Sequence, residues 1–140
     1  MYDILLVEDN KETAGFVKEA LELEGMKVDV AFDGVEGLKN FEKKSYDLVL
    51  LDLEMPKMNG EELLRIIRKE NPYIDIIIYT NYAQFGNVPK LVNLGINGYI
   101  NKGASADLDE LVEFIKKKLE PMDEEEMTRL ILQTEELKSE

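Results

Sequence analysis

Five short apolar runs punctuate the chain: DILLV at 3–7, KVDVAF at 27–32, DLVLL at 47–51, DIIIY at 75–79 and GYIN at 98–101. All are short enough for strands, and their near-continuous apolarity suits strands covered on both faces. The stretches between them are amphipathic at a helical period. From Lys11 to Leu23 the residues Ala14, Val17, Ala20, Leu21 and Leu23 mark one face, and Gly25 stops the helix. Val35, Leu38 and Phe41 line a short helix after Gly34. Leu63, Leu64, Ile66 and Ile67 face inward from a helix over Glu61 to Lys69, which ends before Asn71-Pro72. A last main helix runs from about Asp107 to Lys118, burying Leu108, Leu111, Val112, Ile115 and Leu119. Acids open it and Lys116, Lys117 and Lys118 close it, the polarity a helix dipole favours.

Strands interleaved with helices in this way predict an α/β fold, a doubly wound parallel sheet with helices on both faces. At 140 residues the chain has room for one ordinary domain. Such sheets bind ligands beyond the carboxyl ends of their strands, so the residues at those ends carry the question of function. Strand one ends in Glu8-Asp9, strand three in Asp52 and strand four in Thr80; Lys102 lies one residue past strand five.

Parallel strands bring these tips to one rim. An acid at a strand tip is by itself a solvated turn residue or a helix cap, and a lone lysine is a surface lysine. Polar groups of complementary type at four of the five tips are a different matter. Three crowded carboxylates oppose one another's ionisation. A divalent cation with oxygen ligands relieves them, and Mg²⁺ takes one or two carboxylates while keeping waters. A lysine opposite the acids and a threonine hydroxyl complete a clamp for the oxygens of a phosphoryl group. Aspartate can act as the nucleophile and form an acyl phosphate. Asp52, alone on the central strand, is the candidate, with Glu8 and Asp9 as metal ligands. Pro56 and Asn59-Gly60 shape the turn behind it.

Composition narrows the chemistry. There is no cysteine and no histidine, which excludes disulfides, thiolate chemistry and a histidine phosphodonor within this chain. Thirty acidic against seventeen basic residues leave a formal charge of −13, a field that repels a nucleic-acid backbone. No apolar run approaches membrane-spanning length, and MYDILLVED enters a strand without the layout of a signal peptide. A cytoplasmic domain that binds neither membrane nor nucleic acid is expected.

From about Tyr2 to Leu119 the chain resembles the receiver domain of bacterial two-component response regulators, the CheY-like family. The resemblance is carried by the acidic pair in LLVED, the acceptor in LVLLDLEMPKMNG, the hydroxyl in IIIYT and the lysine in GYINKG. It implies a flavodoxin-like five-stranded sheet of order 2-1-3-4-5. It also implies that Asp52 accepts a phosphoryl group from the phosphohistidine of a sensor histidine kinase or phosphotransfer protein. Mg²⁺ would be held by Glu8, Asp9, Asp52 and the backbone carbonyl of Glu54. Thr80 and Lys102 would engage the phosphoryl oxygens. Tyr99 matches the family's switch aromatic, which moves with Thr80 and remodels the face of helix four, strand five and helix five. Slow self-dephosphorylation and homodimerisation on phosphorylation are further implications.

Three departures from the family pattern stand out. Gly103 follows the lysine where the family usually has proline. Asn81 and Tyr82 follow Thr80 where a small residue is preferred. Glu54 places an acid two residues past Asp52. Pro89, at a position expected inside helix four, predicts that this helix starts near Asn87 or Val88, with Asn87 as cap and 82–87 looser.

Residues 1–120 are read as the receiver unit and 121–140 as an acidic extension, PMDEEEMTRLILQTEELKSE. Asp123 and Glu126 have the layout of a helix start, and Met127, Leu130, Ile131 and Leu137 recur at helical spacing. Both a frayed linker and an amphipathic helix that packs on the domain or on a second copy fit this pattern. Other functions are less well matched. The receiver half of a truncated transcriptional regulator or other multidomain effector is the alternative: a downstream output segment would show it and none is present, yet a tail like 121–140 is also what remains when a longer regulator is cut before its output domain. A degenerate scaffold needs a missing acid, hydroxyl or lysine, and a small aspartate-based phosphatase needs a substrate pocket.

Overall fold

The computed structural model describes residues 1–55, 58–80, 88–102, 108–120 and 124–138. Five strands, β1 (Asp3–Val7), β2 (Lys27–Ala31), β3 (Leu48–Leu51), β4 (Asp75–Thr80) and β5 (Gly98–Asn101), form one sheet of order β2-β1-β3-β4-β5. Every neighbouring pair is parallel. The strands alternate with α1 (Lys11–Leu23), α2 (Gly34–Lys43), α3 (Gly60–Glu70), α4 (Val88–Leu94) and α5 (Leu108–Leu119), and α6 (Glu124–Lys138) follows.

The strand alternation sorts the core into two layers. Ile4, Leu6, Leu48, Leu50 and Ile77 point to one face, where Val17 and Leu21 of α1 and Leu111 and Ile115 of α5 cover them. Leu5, Val7, Val49, Leu51, Ile76 and Ile78 point to the other, under Leu63, Leu64 and Ile67 of α3 and Leu91 of α4. Each fully buried aliphatic side chain removes enough apolar surface to contribute about 1.5–3 kcal/mol. A sheet with both faces apolar has no stable alternative to helices on both sides.

Local signals fix where the helices begin. The Oδ1 atoms of Asn10, Asp33 and Asn59 accept the amides of Thr13, Glu36 and Glu62 at 3.0, 2.8 and 2.8 Å, capping α1, α2 and α3 close behind the strand tips. Gly25, with φ of +85°, turns the chain out of α1 in a conformation that L side chains rarely adopt.

Some burial differs from the sequence expectation. Leu23, at the edge of the α1 stripe, is 81 % exposed, and Ile66, Leu108 and Leu119 are half-buried because they flank their helices' central contacts. The second strand ends at Ala31, one residue before Phe32. Helix α4 is described from Val88; the expected cap Asn87 and the segment 82–87 lie outside the described residues. The extension forms a helix, and Met127, Leu130, Ile131 and Leu132 on it are each about half exposed. Asp123, its expected cap, lies outside the described residues. Among the described residues no helix is long and apolar enough to cross a membrane.

Candidate functional site

Among the described residues, the buried polar or charged side chains are Glu8, Asp52 and Thr80, and all three stand at strand tips. The ladder sets their height. The Glu8 amide donates to the Ala31 carbonyl at 2.9 Å, the Asp52 amide to Val7 at 3.0 Å, and the Lys102 amide to Thr80 at 2.9 Å. Each residue is therefore held by the adjoining strand, and the side chains converge without help from long loops.

Asp52 lies at the centre of the cluster. Its Oδ1 accepts the Thr80 hydroxyl at 2.9 Å and the Glu54 amide at 3.1 Å. Its Oδ2 accepts the Lys102 ammonium at 3.2 Å. The same Nζ donates to both Glu8 oxygens, at 2.7 and 2.8 Å. Lys102 thus bridges two nearly buried carboxylates. Breaking a buried pair of this kind typically costs about 3–5 kcal/mol, because one charge is left uncompensated. The Lys102 ammonium also sits 5.1 Å from the centroid of the Tyr79 ring, a cation–π contact.

One lysine does not balance the acids. Carboxylate oxygens of Glu8, Asp9 and Asp52 all lie within 4.8 Å of one another. Burial pushes the Glu8 pKa up to about 8, and its hydrogen bond and repulsion with Asp52 add to this; the contact with Lys102 opposes them without prevailing. Burial disfavours the charge on Lys102, but its hydrogen bond to Glu8 and the negative charges of Asp52 and Glu8 outweigh that, and its pKa is raised. A protonated carboxyl at neutral pH marks a site short of positive charge. Hard oxygen donors with exposed Asp9 at the mouth fit a divalent cation such as Mg²⁺, which keeps part of its water shell.

The structure brings Glu8, Asp9, Asp52, Thr80 and Lys102 together as the sequence predicts. Glu54 contributes its amide to Asp52, and its side chain is exposed. Tyr99 stands apart from the rim. It pairs with Ile78, two residues short of Thr80 in the ladder, and is half-buried against the α3 and α4 layer. Pro56, Asn81, Tyr82 and Gly103 lie outside the described residues.

Two contributors escape a reading of strand tips. Tyr79 precedes Thr80 and faces the opposite layer; the signal was an aromatic with a polar end in a strand whose other apolar residues are all isoleucines. Gly60 is the other. A Cβ there would come within 2.5 Å of the Asp52 carbonyl and 2.6 Å of the Leu53 Cα. Only glycine lets α3 start this close behind the acceptor. Turn composition alone does not show that contact.

The response regulator receiver domain family's sequence pattern matches residues 4–116. The chain belongs to this family. The response regulator ArlR of Staphylococcus saprophyticus is 38 % identical over 119 residues, which are 85 % of this chain and 53 % of that protein. Among solved structures, a CheY-like receiver domain protein from Methanospirillum hungatei is 35 % identical with a TM-score of 0.80, covering 85 % of this chain and 94 % of that one. The response regulator TrrA from Thermotoga maritima, solved in complex with Mg²⁺-BeF, is 38 % identical with a TM-score of 0.75, covering 84 % of this chain and 98 % of that one. The chain spans about half the length of the curated relatives it matches first.

Proposed function

We propose that this chain is a Mg²⁺-dependent phosphoryl-accepting switch, with Asp52 taking a phosphoryl group from the phosphohistidine of a sensor histidine kinase or phosphotransfer protein. The observation that carries this reading is the Asp52 carboxylate, buried and held by the Thr80 hydroxyl, the Glu54 amide and the Lys102 ammonium at once. The chain contains no histidine, so the donor imidazole belongs to a partner.

In the transfer, an Asp52 oxygen forms a bond to phosphorus as the phosphorus–nitrogen bond of the donor breaks. The imidazole nitrogen keeps that electron pair and leaves neutral when its other ring nitrogen carries a proton. Thr80 and Lys102 are placed to transfer their hydrogen bonds from the free carboxylate to phosphoryl oxygens. Glu8, Asp9, Asp52 and the Glu54 carbonyl are the groups that would hold Mg²⁺, which supplies positive charge to the phosphoryl oxygens. The Mg²⁺-BeF complex of TrrA supports this, because beryllofluoride is a tetrahedral stand-in for a phosphoryl group. Slow hydrolysis by water, cleaving the phosphorus–oxygen bond, returns Asp52 to its resting state.

The readout follows from Thr80. Once its hydroxyl leaves Asp52, the tip of β4 and the neighbouring Tyr99 on β5 are free to shift. The face formed by α4, β5 and α5 then changes its affinity for partners or for a second copy. Residues 1–120 are the receiver unit of this switch and 121–140 its extension.

Incubation with acetyl phosphate tests the reading. The predicted result is a gain of one phosphoryl group by intact mass, abolished by a chelator and by Asp52→Ala. An unchanged mass at every Mg²⁺ concentration would instead favour a scaffold that only binds partners.

A further inference from the structure

On the side of the sheet edge formed by β2, far in sequence from β4 and β5, lies a groove of about 560 Å³ between α1 and α2. Four lysines line it, Lys11 and Lys18 from α1 and Lys43 and Lys44 from the end of α2 and the residue after it. Asp29 is the one acid among its lining residues. That balance is opposite to the rest of a chain with a formal charge of −13. Asp29 is also already engaged, by Tyr46 at 2.8 Å and by Lys44 at 2.9 Å. Lys18 and Lys43 make no ion pair among the described residues, although acids outnumber bases in the chain by thirty to seventeen.

The floor of the groove is the edge of β2, where Val30 is half-buried and Val28 is 3 % exposed. In the parallel ladder with β1, the Lys27 amide donates to Tyr2 and the Ala31 carbonyl accepts from Glu8. Hydrogen bonding to β1 alternates along a parallel strand, so it uses residues 27, 29 and 31. The amides and carbonyls of Val28 and Val30 therefore face away from β1, and both residues line the groove. Two independent features meet here: backbone groups able to pair with another strand, and a surplus of cations around them.

We propose that the β2 edge is a docking site for an extended acidic segment of a partner protein, which adds as a sixth strand beside β2. Its backbone pairs with Val28 and Val30, and its carboxylates meet Lys11, Lys18 and Lys43. Strand addition draws affinity from main-chain hydrogen bonds and specificity from side chains on the added strand. Charge selects the occupant. Lysines along an edge oppose pairing with a second copy, which would bring the same four lysines. The acidic extension of this chain is helical over Glu124–Lys138 and in that form offers no strand. The surface is separate from the Asp52 cluster, which opens at the strand tips.

The probes are a capped octapeptide of alternating glutamate and threonine, its lysine–threonine counterpart, and inorganic triphosphate. Each is titrated into the full isotope-labelled chain at low salt and followed by amide shifts and hydrogen exchange. The expected result is saturable binding of the glutamate peptide, with slowed exchange at Val28 and Val30 and none for the lysine peptide. Paired Lys18→Glu and Lys43→Glu substitutions should weaken binding by about tenfold or more. Asp52→Ala should leave it unchanged, while Lys18→Arg and Lys43→Arg should retain it. Three results would overturn the proposal: binding without protection at Val28 and Val30, binding indifferent to the charge reversals, or triphosphate displacing the peptide with the same amide shifts and no protection.

Discussion

Strand β3 and the residue that follows it are equally buried and chemically opposite. Leu48 to Leu51 are fully buried and apolar; Asp52, one position on, is 6 % exposed and carries a carboxylate. The strand body is held by dispersion and loss of water contact, and any aliphatic side chain of similar volume does the same work. The tip is held by three donors to one carboxylate and stands against two further acids. Burial stabilises the fold in the first case. In the second it creates an electrostatic strain that only a cation or a chemical change relieves. The difference shows that burial by itself does not say what a residue is for.

The largest separation between the two regions is in phosphoryl uptake. Asp52→Ala is expected to abolish it, while Leu50→Ala should leave the remaining folded molecules able to react; labelling by a small acyl phosphate followed by mass spectrometry checks both. Stability runs the other way. Leu50→Ala is expected to lose about 2–5 kcal/mol in urea unfolding, the range for a large-to-small change in a packed core. Asp52→Asn, which keeps the shape and removes a charge, is expected to raise metal-free stability, because Glu8 loses a neighbour that opposes its ionisation. A loss on Asp52→Asn would remove the electrostatic half of the comparison.

A further test uses protons. Glu8 holds its proton up to about pH 8 in the folded chain, against an ordinary value of 4.5. Between those values the folded state binds a proton that the unfolded state has lost. Its stabilising contribution is complete below 4.5 and fades as pH rises through about 8. Metal-free stability should therefore fall with rising pH across that window. Glu8→Gln should flatten the slope, and Mg²⁺ should tighten with pH because it displaces the same proton. A metal-free stability that climbs through the window would mean that Lys102 alone satisfies the acids. The smallest effect belongs to the extension: Leu130→Ala, on a half-exposed α6 position, should change unfolding by less than about 0.5 kcal/mol.

Much of this was legible in the chain because two signals coincide at each strand. Apolar runs such as DILLV and DIIIY mark the strands, and the parallel winding they require puts their ends together. Glu8, Asp9, Asp52, Thr80 and Lys102 are readable for that reason. What stayed hidden depends on distances between separate elements. Sequence puts Lys102 opposite the acids, but only packing shows that it gives its two shortest bonds to Glu8 and lies against Tyr79. Gly60 reads as a turn residue until the approach of α3 to Asp52 is seen. The groove beside β2 draws its lysines from two helices and the loop after one of them, and no local pattern connects them. In α6 the helical period was readable, but which surface it meets depends on residues outside that period.

The most direct test traps the acyl phosphate where it forms. After reaction with acetyl phosphate and Mg²⁺, borohydride reduction converts a phosphorylated aspartate to homoserine, and peptide sequencing by mass spectrometry locates it. Homoserine is expected at position 52 alone, and none without Mg²⁺. Reduction products at Glu8 or Asp9, or an unmodified Asp52 in protein that has taken up phosphate, would contradict it.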